Sequence, residues 1–134
     1  MKKLFVGLMS MVLLTGIAVA GAGLSSQDEA AIKAAGLSVY PGAVVLPGPG
    51  AMGFRFATSD NVNKVRSWYQ EKTSGWAVFD DGSMWILYNG KPGLNPIEVM
   101  AKSQVLINSS EDLPLVHGLD KNMTTEIVLI PVSQ

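Results

Sequence analysis

Residues 59–88, SDNVNKVRSWYQEKTSGWAVFDDGSMWILY, decide the fold. Ser59 or Asp60 offers a side-chain oxygen to cap a helix, and Val62, Val65, Trp68 or Tyr69, and Lys72 then recur at the spacing of a helix with one apolar stripe. Gly75 closes that helix, because glycine tolerates the left-handed conformation in which helices end. The period then changes. Trp76 to Phe79 and Met84 to Tyr88 are short runs of aromatic and branched residues, and Asp81-Gly82 between them is the signal of a tight two-residue hairpin. A capped amphipathic helix running straight into a hairpin buries its stripe most simply on the face of an antiparallel sheet.

Upstream, Val39-Tyr40-Pro41-Gly42 reads as a turn, a first strand follows at Ala43 to Leu46, and Pro47-Gly48-Pro49-Gly50 breaks it. Met52, Phe54 and Phe56 alternate with Gly53, Arg55 and Ala57, the period of a strand with one buried face, and the two strands are expected to pair as a hairpin. Ser26 and Glu29 have the spacing of a capping box, which predicts a short helix through Ala30, Ala31, Ile32, Ala34 and Ala35 that stops at Gly36. With Ile32 as its one large apolar residue, this helix is expected to pack loosely. Downstream, Asn89-Gly90 marks a turn, and Pro92, Gly93 and Pro96 make the next connection irregular. Ile97 to Ile107 reads as one long or bulged strand and Glu126 to Val132 as the last, while residues 108–125 match no element. The expected class is therefore α+β: an antiparallel sheet of about five to six strands with one main helix packed on it, plus a short N-terminal helix. Residues 39–134 would form the single domain and 21–38 the short helix with its linker.

The string VYPGA, a strand pair, ATSD, VNKVRSWYQEK and then a tryptophan resembles a small domain of secreted and lipid-anchored bacterial proteins. In that domain a Y-P-G-A turn opens a strand, a Thr-x-Asp step caps a helix ending in Trp-Tyr or Phe-Tyr, and a tryptophan begins the next strand. The match covers about Val39 to Val78, under half of the chain, and its motifs are structural. The resemblance implies this local fold and carries over no functional residue.

The chain opens with Lys2 and Lys3, an uncharged apolar run from Leu4 to Thr15, and the small-x-small pattern Ala18-Val19-Ala20. That order is the signature of an export leader, predicting cleavage after Ala20 and a periplasmic or secreted product; the alternative is an uncleaved leader that anchors the protein in the membrane. Loss of large apolar residues at Gly16, Gly21 and Gly23 favours cleavage, after which no stable membrane insertion is expected. The chain has no cysteine, so neither a lipid-bearing N-terminal cysteine nor a disulfide framework is available, and apolar burial must carry stability. Loss of Lys2 and Lys3 leaves 8 basic against 11 acidic residues, a formal charge of −3 with no basic block, which argues against a nucleic-acid partner.

His117 is the one histidine. A zinc site would need it together with carboxylates, whereas such sites draw on several His and Cys ligands, so no metal or other cofactor is expected. No G-x-S-x-G turn surrounds a serine, and no phosphate-binding glycine loop is present. Asp80-Asp81 suggests calcium by its paired carboxylates, but the loop is too short to supply six or more oxygens, and hairpin chemistry accounts for the pair. The aromatic group carries more weight. Trp68, Tyr69, Trp76, Trp85 and Tyr88 fall on one helix and two strands: either Trp68 and Trp76 are core and the others flank it, or Trp85 or Tyr88 forms an exposed partner-binding surface. These features point to an exported, non-catalytic binding module whose partner is an envelope protein, a peptide or a glycan. The alternative is a small hydrolase using His117 with carboxylates.

Overall fold

The computed structural model describes residues 23–46 and 53–133, so the leader at 1–20, the turn at 47–50 and Met52 lie outside the described residues. The elements run in the order α1 (Ser26–Ala34), β1 (Val44–Val45), β2 (Phe54–Thr58), α2 (Val62–Lys72), β3 (Ala77–Asp80), β4 (Trp85–Tyr88), α3 (Pro96–Met100), β5 (Gln104–Ser109), α4 (Leu113–His117) and β6 (Thr125–Ile130). The six strands form one sheet in the order β1-β2-β6-β5-β4-β3, with every neighbouring pair antiparallel. The fold is α+β, as the sequence predicts. Helix α2 carries the chain from β2 to the far edge, where β3, β4 and β5 meander back and β6 fills the space beside β2.

Alternation along the strands sorts the side chains onto two faces. Phe56, Ile127, Leu129, Val105, Ile107, Leu87 and Trp85 form the first, packed under Val65 and Tyr69 of α2 and Ile32 of α1. The opposite face is covered in two places: α3 sets Val99 against Ala77, Ile86 and Tyr88, and α4 sets Leu113 against Leu46 and Ala57. Between these covers Arg55 and Glu126 form an ion pair across β2 and β6.

Several local expectations are corrected. The α2 cap is Asn61, whose side chain accepts from the Lys64 N–H at 2.8 Å, rather than Ser59 or Asp60; Asp60 is drawn instead to Tyr40. The buried stripe of α2 runs through Val65 and Tyr69, with Trp68 at its margin. Helix α1 is capped by Ser25, which accepts from the Asp28 N–H, one residue before the expected Ser26. It does not pack loosely, because Ile32 and the following Leu37 are both buried in the main core.

At the β3–β4 connection, Asp81 is the closing residue rather than a tip residue. Its N–H donates to the Met84 carbonyl, while its carboxylate accepts from the N–H groups of Ser83 and Met84. Gly82 (φ +88°) supplies the positive φ that the turn requires.

The expected strand from Ile97 to Ile107 is in fact a helix followed by a strand. Asn95 and Glu98 form a reciprocal capping box with Pro96 at the first helical position, where its missing N–H costs nothing. One turn of helix then buries Val99 and leaves Ile97 81% exposed, a helical rather than an alternating pattern. Part of the unassigned stretch becomes α4, ended by Gly118 in the left-handed conformation.

Candidate functional site

Trp85 and Tyr88, expected to form an exposed platform, are 7% and 1% exposed and present no surface. Successive strand residues face opposite ways, so Trp85 and Tyr88 do point to different faces, but both faces are covered at this position. Trp85 lies under α2, where the Arg66 guanidinium sits 4.8 Å from the ring centroid and donates to the Ile107 carbonyl at 2.9 and 3.3 Å. Tyr88 lies under α3 and donates its hydroxyl to the Lys91 carbonyl at 2.8 Å, which satisfies its one polar atom. Trp68 and Trp76, expected in the core, pack against its margin and stay partly exposed.

Trp68 belongs to a structural clasp. Its ring meets Tyr40 edge-on at 5.2 Å and Tyr69 at 4.8 Å, and Tyr69 donates its hydroxyl to the Ser38 carbonyl at 2.8 Å. Tyr40 donates to Asp60 Oδ2 at 2.5 Å, Lys64 Nζ lies 3.5 Å from the same oxygen, and Thr125 donates to the Asp60 carbonyl at 2.6 Å. The Y-P-G-A turn, the T-x-D step and the Trp-Tyr pair are thus parts of one contact set. Burial, then the hydrogen bond and negative charge of Asp60, push the Tyr40 phenol up to about 12. That hydrogen bond, helped by Lys64, holds the Asp60 carboxyl below its usual range. The hydroxyls of Tyr40, Tyr69 and Thr125 and the Asp60 carboxylate all have partners, and the arrangement locks the entry to β1 onto α2.

The feature suited to a ligand is a cleft of about 690 Å³ at one end of the sheet. Ala77, Tyr88, Gln104 and Ile130 lie in register across β3, β4, β5 and β6, so the residues just beyond them, Trp76, Asn89, Ser103 and Pro131, are gathered at the same end. The C-terminal turn of α1, with Ala31, Ala34, Ala35 and Gly36, forms the facing wall, and Val132 and Ser133 complete the lining. Gly36 (φ +77°) is the left-handed residue that ends α1, and a Cβ there would meet Trp76 Cζ2 at 3.6 Å, an ordinary contact, so the glycine stands directly beside the indole.

The Ser103 hydroxyl is committed to the C-terminal tail, accepting from the Val132 N–H at 3.0 Å and donating to its carbonyl at 3.4 Å. The Asn89 side chain is exposed and makes no hydrogen bond among the described residues. Among the described residues, no titratable side chain lines the cleft. Sequence reasoning missed it because the cleft is assembled from the ends of five separate segments. The local hints were the run of small residues closing α1 and a tryptophan placed just before a strand.

His117 ends α4, is not among the cleft residues, and has no carboxylate within ion-pairing distance among the described residues. No group of three or more metal-ligating side chains converges among those residues, and none of their helices is long and apolar enough to cross a membrane. Comparison with family models, curated proteins and solved structures finds no match for this chain.

Proposed function

We propose that this protein is an exported, non-catalytic binding module that holds its ligand in the cleft between α1 and the end of the sheet. The observation that carries the reading is the composition of the lining: an accessible tryptophan, an amide with free donors and acceptors, and small apolar walls, with no acid, base or nucleophile-activating group among the described residues. Its volume falls in the range of about 300–1,000 Å³ that holds small-molecule ligands. The export half of the proposal rests on Lys2, Lys3, the apolar run and Ala18-Val19-Ala20, and intact-mass measurement of the product tests it. A mass beginning at Gly21 is expected, and a mass that retains Met1 to Ala20 would overturn it.

The cleft is tested by thermal shift with soluble envelope extracts fractionated into peptides and glycans. A ligand present at about one hundred times its Kd stabilises the folded state by about 2.7 kcal/mol. Ala34→Trp, at an exposed position on the cleft wall, fills the space from the helix side without disturbing the core. A fraction that raises the Tm of the native chain and not of Ala34→Trp is the expected result. Equal stabilisation of both proteins, or of neither, would remove the cleft from the function.

A further inference from the structure

We infer that the cleft ligand is a neutral saccharide, one ring of which stacks on Trp76 while its hydroxyls bond to Asn89; this rests on the binding-module reading above. Charge is the first ground. None of the described residues lining the cleft is ionisable, and an ionic group held against them would lose water without meeting a counter-charge from them. That selects against acidic sugars, phosphates and charged peptides.

The second ground is the division of the lining into apolar and polar parts. Trp76, Ala31, Ala34, Ala35 and Pro131 provide flat or shallow apolar surface, and Asn89 and Ser133 provide hydrogen-bonding groups. A sugar ring has the matching division, with a face of C–H groups and a rim of hydroxyls. An amide side chain both donates and accepts, so it can serve a hydroxyl that does the same.

The third ground separates sugar from peptide. An extended peptide gains affinity by pairing with a row of free backbone groups. Among the backbone segments that line the cleft, the tail from Pro131 to Ser133 has both backbone groups of its central residue, Val132, already bonded to the Ser103 hydroxyl. Along the tail the cleft therefore offers side chains rather than free backbone groups, which favours a ligand held by ring stacking and side-chain hydrogen bonds.

The test titrates the full chain with cellobiose, maltose and N,N′-diacetylchitobiose, with glucuronic acid as the charged control and a neutral capped tripeptide as the peptide control. Tryptophan emission and calorimetry report binding. At least one neutral disaccharide is expected to change the emission and to bind more tightly than glucuronic acid or the tripeptide. Trp76→Ala should weaken that binding about thirtyfold, the loss that truncating an interface aromatic commonly brings.

Trp76 also touches the core, so Trp76→Phe and Asn89→Ala provide variants that keep the fold, checked by circular dichroism. Both should bind more weakly than the native chain, Asn89→Ala with unchanged Tm and Trp76→Phe with a Tm lowered by a few degrees and a native circular dichroism spectrum. Binding of the tripeptide but not of the sugars would overturn the ligand class and leave the cleft reading standing. Saccharide binding unaffected by Trp76→Phe, Asn89→Ala and Ala34→Trp would overturn both. No response to any saccharide at saturating concentration would overturn the ligand class, while the extract experiment with Ala34→Trp decides the cleft independently.

Discussion

Replacing Trp85 with alanine should come close to unfolding this protein. The ring is 7% exposed, wedged between the sheet and α2. A buried tryptophan removes about 150–250 Å² from water, which at about 25 cal/mol per Å² corresponds to about 4–6 kcal/mol. Measured Trp or Phe to alanine substitutions in cores lose about 3–5 kcal/mol, and the lost cation–π contact with Arg66 places this site toward the upper end. A domain of this size is held by about 5–15 kcal/mol in total. Urea unfolding followed by circular dichroism measures the effect: with a slope of about 2 kcal/mol per molar, the midpoint should fall by about 2 M. Trp85→Phe, which keeps a ring under Arg66, should recover most of that loss. A Trp85→Ala protein with a midpoint within about 0.3 M of the native value would refute the reasoning and return Trp85 to the surface.

Removal of the Tyr40 hydroxyl should change how stability depends on pH. The folded-state Tyr40 is raised from 10.0 to about 12, so its contribution is complete below about pH 10 and is lost as pH climbs toward about 12; Tyr40→Phe should flatten part of that alkaline decline, with the also raised Tyr69 supplying the remainder. At the acid end, Asp60 is lowered, so its contribution is present above the usual carboxyl range and lost as pH falls through the lowered value, and Asp60→Asn should remove that step in an acid titration of Tm. Gly53→Ala would drive a methyl into the Leu129 carbonyl oxygen, with Ile130 Cγ1 only 2.9 Å away, and should destabilise by about 1–3 kcal/mol in thermal unfolding. A neutral Gly53→Ala would show that β2 and β6 are not so closely apposed.

The fold was most legible where an element was long enough to repeat its period. Helix α2 spans 11 residues, enough to show its stripe, although Trp68 and Tyr69 adjoin and the sequence leaves open which one turns inward. Helices α3 and α4 have 5 residues each, too few for a helical period to stand out from the apolar run around them. The capping box at Asn95 and Glu98 was the readable signal, and the apolar run from Ile97 masked it. The burial of Tyr88 has the same cause, because α3 is what covers the second face of β4 and its five residues carry no helical period. The cleft was the least legible feature, since Trp76, Asn89 and Ser103 meet through sheet register and not through any spacing in the chain.

The position of β6 sets an order of events for a chain made from its N-terminus. Strand β6 lies between β2 and β5, yet it is the last strand in sequence. Until it emerges, the β1–β2 hairpin and the β3–β4–β5 meander are separate pieces joined only through α2. Each then bears an unpaired edge of the kind that recruits other chains. The Arg55–Glu126 pair, 71 residues apart, is one of the links that then closes the seam. A ribosome that stalls before Thr125 would therefore release two adhesive half-sheets rather than a slightly shortened domain, because β6 is the strand that covers both of their inner edges.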